Sequence, residues 1–275
     1  MAIQDSEQIK KAVNDRYGAI AKEHLDKKAF SIPLMEVNAC CSPGTGTVES
    51  AIEIAVAKGY SEEELKIIPN TVTEVSLGCG NPTALAQIVQ GNTVLDIGSG
   101  GGLDCFLAAE RVGPAGQVIG LDMNENMLAL AKSNAKKMGI TNVEFRRGEM
   151  EAMPVGDSSL DLIISNCVIN LSPDKDTVFK EAFRVLRPGG RLCVSDIVVE
   201  GEIPEETRAS LSEWAGCAAG ALEKSEFIEK LEAAGFADVQ VASQEISKRG
   251  FELKQSGWDK GVLLSAVITA IKPVP

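Results

Sequence analysis

The sequence of 275 residues contains seven cysteines, and these are the side chains best suited to unusual chemistry. Their number is odd, and the polar start at Met1–Lys10 lacks the apolar core of a signal peptide, so we do not expect a framework of structural disulfides. Free thiols either fill small spaces in a core or act as ligands and nucleophiles. The single histidine, His24, excludes a histidine-based catalytic or metal cluster.

A glycine-rich loop is the second candidate for chemistry: residues 94–102 read V-L-D-I-G-S-G-G-G. Asp96 precedes the glycines, and a helical pattern begins at Leu103, so the loop ends at a helix N-terminus with free N–H groups. Glycines allow a tight turn and the close approach of a ligand. Counting G-x-G-x-x-G from Gly98 puts Leu103 at the last position, so this is not a dinucleotide fingerprint. It resembles instead the S-adenosylmethionine loop of class I, Rossmann-like methyltransferases; the alternative is an ordinary strand–helix turn.

Alternating strands and helices from Thr93 onward must position these residues. Short connections imply right-handed crossovers and a parallel sheet covered on both faces. We therefore predict an α/β fold: a doubly wound, mostly parallel sheet with an N-terminal helical arm and a helical cap after the fifth strand. The predicted strands are 93–97, 117–121, 142–146, 160–165, 191–195, 236–241 and 262–271. The predicted divisions are an arm at 1–71, a cofactor-binding core at 72–200, and a cap with the last strands at 201–275.

Polar residues follow several predicted strands, where an α/β sheet binds its ligands. Asp122 ends the second strand, 24 residues after Gly98, and its carboxylate can accept hydrogen bonds from both hydroxyls of a ribose. The alternative for Asp122 is a surface acid at a helix start. Glu149 and Met150 follow the third strand and, by the same resemblance, would contact the adenine, with Glu151 as a rival acid.

A thiol ends the fourth strand, in the pair Asn166-Cys167. The resemblance to class I methyltransferases implies that this position faces the transferred methyl group. Cys79, in a loop before the first strand, and Cys217, in the helical segment after the fifth, belong to segments that can reach the same crevice. Their spacing does not establish that they converge, and each alone can be a small buried residue. We expect Cys105 and Cys193 to be core residues.

Four segments together resemble the microbial arsenite S-adenosylmethionine methyltransferase family, in the same order along the chain. The third discriminates most strongly, because related carbon and quinone methyltransferases lack its thiol. The segments are V-S-L-G-C-G-N-P at 75–82, V-L-D-I-G-S-G-G-G-L-D at 94–104, S-N-C-V-I-N-L-S-P-D-K at 165–175 and C-A-A-G-A-L at 217–222.

The resemblance implies that Cys79, Cys167 and Cys217 bind trivalent arsenic, and that Cys40 or Cys41 takes part in redox cycling. It implies S-adenosylmethionine as methyl donor, arsenite in the form of a thiol conjugate as substrate, and thioredoxin or glutathione as reductant. The N-terminal Tyr-Gly pair of the family resembles Tyr17-Gly18, although Arg16 stands where a second Tyr is common. The predicted cofactor-binding residues are Tyr17, Gly18, Asp96, Gly98, Ser99, Gly100, Asp122, Met123, Glu149, Met150 and Asn166.

The net charge of −12 argues against nucleic acid and anionic membrane surfaces as partners, since both need basic patches. No apolar run is long enough to span a bilayer, and we expect a cytoplasmic protein. Two other functions remain open. One is a methyltransferase acting on a small carbon or oxygen nucleophile, such as a quinone. The other is a non-catalytic thiol binder of arsenite or zinc, with Cys40 or Cys41 as a fourth zinc ligand.

Overall fold

The computed structural model describes residues 5–26, 48–244 and 261–275. Cys40 and Cys41 lie outside the described residues, so their redox role stays a prediction. None of the described helices is long and apolar enough to cross a membrane.

The described chain forms one mixed sheet of eight strands. In chain order these are β1 (Thr93–Ile97), β2 (Gln117–Asp122), β3 (Val143–Arg147), β4 (Leu160–Asn166), β5 (Leu186–Gly201), β6 (Leu222–Glu223), β7 (Ala237–Gln244) and β8 (Gly261–Ile271). The strand order is β3-β2-β1-β4-β5-β8-β7, with β6 paired to β5. Strands β1 to β5 are parallel, and β8 is antiparallel to both β5 and β7. The predicted doubly wound, mostly parallel sheet is confirmed.

Helices cover both faces of this sheet because its inner strands are apolar on both sides. Phe106 packs with Val94 in one core, and Phe179 packs with Leu95 in a second core. The helices are α1 (Ser6–Asp26), α2 (Val48–Ala57), α3 (Glu62–Lys66), α4 (Asn70–Thr73), α5 (Pro82–Leu85), α6 (Leu103–Val112), α7 (Glu125–Met138), α8 (Lys175–Val185), α9 (Glu205–Arg208), α10 (Leu211–Ala215) and α11 (Lys224–Ala233), with a 3-10 turn at Ile169–Leu171.

Local sequence signals set the ends of the helix that follows β2. The side chain of Asn124 accepts hydrogen bonds from the backbone N–H groups of Asn126 and Met127 at the start of α7. Gly139 ends α7 with φ +68°, a left-handed conformation that favours glycine. The Asn124 cap fixes the loop between β2 and α7, which forms one wall of the site described below.

The segment after β5, predicted as a helical cap, contains less helix than its sequence pattern indicates. Residues 204–234 read as helical in sequence, yet α9 and α10 have only four and five residues. Gly220 explains part of this break, because a Cβ there would lie 2.0 Å from the carbonyl oxygen of Asn170. The chain must pass close to the turn after β4, and a continuous helix would prevent that approach.

The start of α8 also differs from the simplest interpretation of its sequence. Ser172 followed by Pro173 suggests an N-cap and first helical residue, but the cap is Asp174, whose carboxylate accepts from the N–H of Thr177. The Ser172 hydroxyl instead donates to Glu151, at 2.7 Å. The turn after β4 therefore extends further than predicted and ties two strand ends together.

The N-terminal helix α1 crosses the carboxyl ends of the strands and packs against α7 and α10. Asn124 Nδ2 donates to the backbone oxygen of Asn14 at 2.9 Å, and Lys10 forms a 2.6 Å ion pair with Glu149. Helix α1 thus lies over the edge of the sheet where a ligand would bind.

Candidate active site

A cavity of about 1090 Å³, counting its open mouth, lies at the carboxyl ends of β1, β2 and β4. Most of the predicted site residues line it. These are Tyr17, Asp96, Gly98, Ser99, Gly100, Asp122, Met123, Glu149, Met150, Asn166 and Cys167. Gly18, Cys79 and Cys217 do not line it, although Tyr17 and Gly78, which precede the first two, do.

The glycine-rich loop forms the floor of this cavity. The N–H groups of Gly98 and Ser99 both donate to the carbonyl of Leu121, at 2.7 and 2.9 Å, which fastens the loop to β2. Gly98 has φ +71°, and a Cβ there would lie 2.4 Å from Val168. Glycine is needed at this position both for its conformation and for the close contact with the turn after β4.

Asp122 shapes the loop from the end of β2. Its carboxylate accepts hydrogen bonds from the N–H groups of Gly100, at 2.9 Å, and Asn124, at 2.8 Å. Burial raises the pKa of this carboxyl, while the backbone hydrogen bonds oppose the shift. The side chain is thereby held in one orientation on the cavity wall.

Ser99 provides a test of whether an adenosine-type cofactor suits this cavity. Its hydroxyl is buried and has no hydrogen-bond partner among the described residues, and a buried polar group of this kind calls for a partner. The hydroxyl lines the cavity beside a loop without side chains at Gly98 and Gly100. A polar ligand lying along the loop would satisfy it, so the residues present are suited to S-adenosylmethionine.

Helix α1, which crosses the carboxyl ends of the strands, carries the predicted pair Tyr17-Gly18. The Tyr17 hydroxyl lies 3.4 Å from the carbonyl of Ala215 in the cap, and donates to it. The Gly18 carbonyl accepts from Asn126, and a Cβ at Gly18 would lie 2.8 Å from Asn124 Nδ2. Tyr17 therefore faces the cavity, while Gly18 allows α1 to lie directly on the start of α7.

Two acids next to the loop, Asp96 and Asp104, are buried and line the cavity. Burial raises the pKa of Asp96 well above its ordinary value and that of Asp104 to about 6. The Cys105 thiol donates to Asp96 at 3.2 Å. Cys105 is completely buried, so it is a core residue as predicted, with the added role of satisfying Asp96.

Two of the three predicted arsenic ligands come together at the edge of the cavity. The sulfurs of Cys79 and Cys167 and a carboxylate oxygen of Asp196 all lie within 4.8 Å of one another. The third thiol, Cys217, donates to the carbonyl of Cys167 at 3.1 Å. Cys217 is therefore next to the Cys167 backbone, but its sulfur is not a member of this close group.

The loop that carries Cys79 is held by residues of three strands, β4, β5 and β8. Asn166 of β4 accepts from the Cys79 N–H at 2.9 Å and donates to the Gly80 carbonyl at 2.7 Å. Ser195 of β5 lies 3.9 Å from the Cys79 sulfur, and Ser265 of β8 donates to the Cys79 carbonyl at 3.0 Å. Asn166, predicted as a cofactor contact, lines the cavity but uses its amide to position this cysteine.

Gly78→Ala tests that arrangement. A Cβ at Gly78 would lie 2.3 Å from the amide carbon and nitrogen of Asn166, and this amide is fixed by Asp104 and Tyr60. We expect at least a tenfold loss of arsenite affinity, measured as arsenic retained after gel filtration, and a fall of about 1–3 kcal/mol in the free energy of unfolding.

Gly156→Ala is the matched control for this change, because a Cβ at Gly156 meets nothing within 4 Å. It should bind arsenite like the wild type. A Gly78→Ala variant with unchanged arsenite affinity would show that the Cys79 loop does not depend on Asn166.

Both Cys167 and Cys217 have left-handed backbone conformations, with φ +60° and φ +66°. For a residue other than glycine this backbone conformation is strained, and such strain is found at functional sites. The turn at Cys167 is fixed by a 2.7 Å hydrogen bond from its N–H to the carbonyl of Ser195. The chain therefore carries cysteine at two positions whose backbone conformation glycine would adopt with less strain.

We expect Cys167→Gly to be more stable than Cys167→Ala by about 1 kcal/mol, because only alanine retains the strain of the left-handed conformation. Urea unfolding of the two variants measures the difference. At Cys193, inside β5, the sign should reverse, with glycine less stable than alanine by about 0.5–1 kcal/mol. An equal or reversed order at Cys167 would contradict backbone strain there.

The site contains residues that sequence reasoning missed, namely Asp196, Ser195, Tyr60 and Asp104. Asp196 and Ser195 interrupt the apolar run of β5, which was predicted to end at Ser195 but continues to Gly201 because β8 pairs along it. Polar residues in an apolar strand were therefore a usable signal. Tyr60, whose hydroxyl donates to Asp104 at 2.8 Å, gave no signal in the sequence.

The fold and the cavity define an S-adenosylmethionine-dependent methyltransferase, and residues 88–235 match the methyltransferase domain family. The arsenite methyltransferase of Halobacterium salinarum is 39% identical over 99% of this chain and 69% of that protein. The human arsenite methyltransferase is 33% identical over 80% of this chain and 56% of that protein. The chain belongs to the arsenite methyltransferase family.

A solved structure of the same kind gives a consistent result. The arsenic(III) S-adenosylmethionine methyltransferase of Chlamydomonas reinhardtii superposes with a TM-score of 0.63 and 36% identity, covering 82% of this chain and 74% of that one. The chain spans about two thirds of the haloarchaeal relative and just over half of the human one.

Proposed function

We propose that this protein transfers a methyl group from S-adenosylmethionine to trivalent arsenic held by the thiolates of Cys79, Cys167 and Cys217. The observation that carries the proposal is the close approach of the Cys79 and Cys167 sulfurs at the edge of the cavity, within 4.8 Å. Cys217 lies against the Cys167 backbone, where a side-chain rotation can bring its sulfur to the same arsenic atom.

Trivalent arsenic is soft and prefers sulfur to oxygen ligands, by the rule that governs soft metals. Three thiolates bind it in a pyramid and leave its lone pair free as the nucleophile. This reaction needs no general base. The single histidine of the chain agrees with that, because the ring of His24, on α1, forms a hydrogen bond with the Ile20 carbonyl.

S-adenosylmethionine, when bound, supplies an electrophilic methyl group on a positively charged sulfur. We assign its binding to the Gly98–Gly100 loop, the Asp122 carboxylate, and Glu149 and Met150 at the end of β3. Tyr17 on α1 covers it from above. The contribution of the chain is orientation, and holding two reactants in a reactive arrangement can supply roughly 7–11 kcal/mol of a barrier.

The redox part of the proposal concerns residues outside the described structure. Transfer of the methyl group to the arsenic lone pair leaves the arsenic formally pentavalent. We assign to Cys40 or Cys41, together with a second cysteine thiol, the two electrons that return it to the trivalent state; the two thiols then form a disulfide, which thioredoxin or glutathione reduces. Such cycling suits a reducing compartment, and we place the protein in the cytoplasm. Arsenite would arrive as a thiol conjugate, whose thiols the protein cysteines displace.

Speciation of arsenic tests the proposed function. The protein is incubated with arsenite, S-adenosylmethionine and a thiol, and the arsenic species are separated and quantified by mass spectrometry. Methylated arsenicals are expected. Unmodified arsenite alone would refute the proposal, and methylation of a quinone precursor under the same conditions would favour the carbon-nucleophile alternative.

A further inference from the structure

The close group at the edge of the cavity is not the set of three arsenic thiols. It consists of Cys79, Cys167 and Asp196, whose ligand atoms lie within 4.8 Å of one another. We propose that these three side chains form an exchangeable site for a divalent cation, Zn²⁺, and that the cation competes with arsenite for the two shared thiols. The cation site stands on this geometry alone, and only the competition rests on the proposed function.

Asp196 is held like a ligand in a prepared site. It is completely buried, and its Oδ1 accepts from Asn170 Nδ2 at 2.9 Å and from the Ile197 N–H at 2.8 Å. Its Oδ2 accepts from the Asn170 N–H at 3.3 Å. These hydrogen bonds fix the carboxylate in one orientation beside the two thiols, where a cation can bind all three ligand atoms.

The donor set matches the preferences of zinc. Zn²⁺ takes cysteine sulfur and aspartate oxygen in a tetrahedral arrangement, and sites with three protein ligands keep the fourth position for an exchangeable group. Sulfurs bound to one zinc are about 3.8 Å apart, given bond lengths of about 2.3 Å. The Cys79 and Cys167 sulfurs reach that separation by small rotations of their side chains.

The two ions use different third ligands, which separates their sites. Trivalent arsenic favours a third thiolate, Cys217, over a carboxylate, whereas zinc accepts the oxygen of Asp196. Asp196 should therefore determine cation affinity, and Cys217 should determine arsenite affinity, although both ions need Cys79 and Cys167.

Lys175 lies close enough to Asp196 for its positive charge to count toward the charge of the cation site. Its ammonium donates to the Ser172 carbonyl at 2.9 Å and lies 5.1 Å from the centre of the Trp214 ring. Burial lowers the pKa of Lys175 to about 8, and the charge of Asp196 opposes that shift. One ammonium and one divalent cation together neutralise two thiolates and one carboxylate, so the bound cation leaves the cluster with no net charge.

Titration with Co²⁺ under anaerobic conditions tests the site, because thiolate ligands give Co²⁺ a charge-transfer absorption. The experiment uses the 275-residue chain with the substitutions Cys40→Ser and Cys41→Ser, which remove the thiols outside the described structure. We expect one Co²⁺ per chain, displaced by Zn²⁺ and by arsenite. Asp196→Asn should weaken Co²⁺ binding at least tenfold, while Cys217→Ser and the control Cys193→Ser leave it unchanged.

Cys79→Ser provides a second test, because Cys79 is only partly buried and its variant should fold even if Asp196→Asn does not. It too should weaken Co²⁺ binding at least tenfold. Three results would overturn the inference. The first is a parent protein that does not bind Co²⁺, and the second is unchanged Co²⁺ binding in Cys79→Ser or in folded Asp196→Asn. The third is loss of Co²⁺ binding in Cys217→Ser. The proposed function is tested separately on the wild-type protein: Co²⁺ binding by the parent together with no methylarsenical from the wild type would refute the proposed function and leave the cation site standing.

Discussion

Cys167→Ser is expected to abolish arsenite methylation while cofactor binding is retained. Cys167 is the one predicted arsenic ligand on the cavity wall, and serine keeps its volume but replaces a soft donor with a hard one. We expect kcat/KM for arsenite to fall at least 100-fold, or about 2.7 kcal/mol. The measurement is the transfer of labelled methyl groups to arsenic, with S-adenosylmethionine affinity determined separately by calorimetry.

Cys193→Ser is the matched control, since it also removes a buried thiol, in strand β5 of the sheet. Burial raises the pKa of Cys193 to about 12, and its thiol lies 3.6 Å from the Pro82 carbonyl, so it remains a neutral core residue. Its methylation rate should stay close to that of the wild type. Full arsenite turnover by Cys167→Ser would show that the three-thiolate account is wrong.

Asp122→Ala is expected to have the opposite effect: loss of the methyl donor with the arsenite site intact. The carboxylate orders the loop through Gly100 and is the proposed acceptor for both ribose hydroxyls. Hydrogen bonds to a charged group contribute about 1.5–3 kcal/mol each, so S-adenosylmethionine affinity should fall about 100-fold or more. Calorimetry measures this loss, and arsenic retained after gel filtration should be unchanged.

A neighbouring acid controls for a general effect of charge on the loop. Glu125 is the first residue of α7, and its exposed carboxylate pairs with Arg147, so Glu125→Ala should bind S-adenosylmethionine normally. Equal losses of affinity in Glu125→Ala and Asp122→Ala would remove Asp122 from the cofactor site. Loss of arsenite binding in Asp122→Ala would show that the two sites are not separable.

The parallel core of the fold was predictable because each of its strands carries a local signal. Thr93–Ile97 and the strand from Leu160 are apolar runs buried on both faces, and Asn124 and Gly139 mark the ends of a helix by their own chemistry. The helical cap was not predictable in the same detail. Its interruption at Gly220 results from the carbonyl of Asn170, a contact between segments 50 residues apart.

The candidate site divides in the same way. The glycine loop and Asp122 could be found because strand ends in an α/β sheet meet at one edge. The approach of Cys79 to Cys167 could not be derived from spacing, since it depends on Asn166, Ser195 and Ser265 holding one loop. Asp196 was missed because β5 extends past the residue at which its apolar pattern seems to end.

A single-turnover measurement tests the central claim most directly. Arsenite is bound to the protein, free arsenite is removed by gel filtration, and S-adenosylmethionine with a labelled methyl group is added in the absence of further arsenic. We predict that label appears in methylarsenicals, at about one methyl group per bound arsenic atom in the first turnover. Arsenite that stays bound and unmethylated, while the label remains in intact S-adenosylmethionine, would contradict methyl transfer at this site.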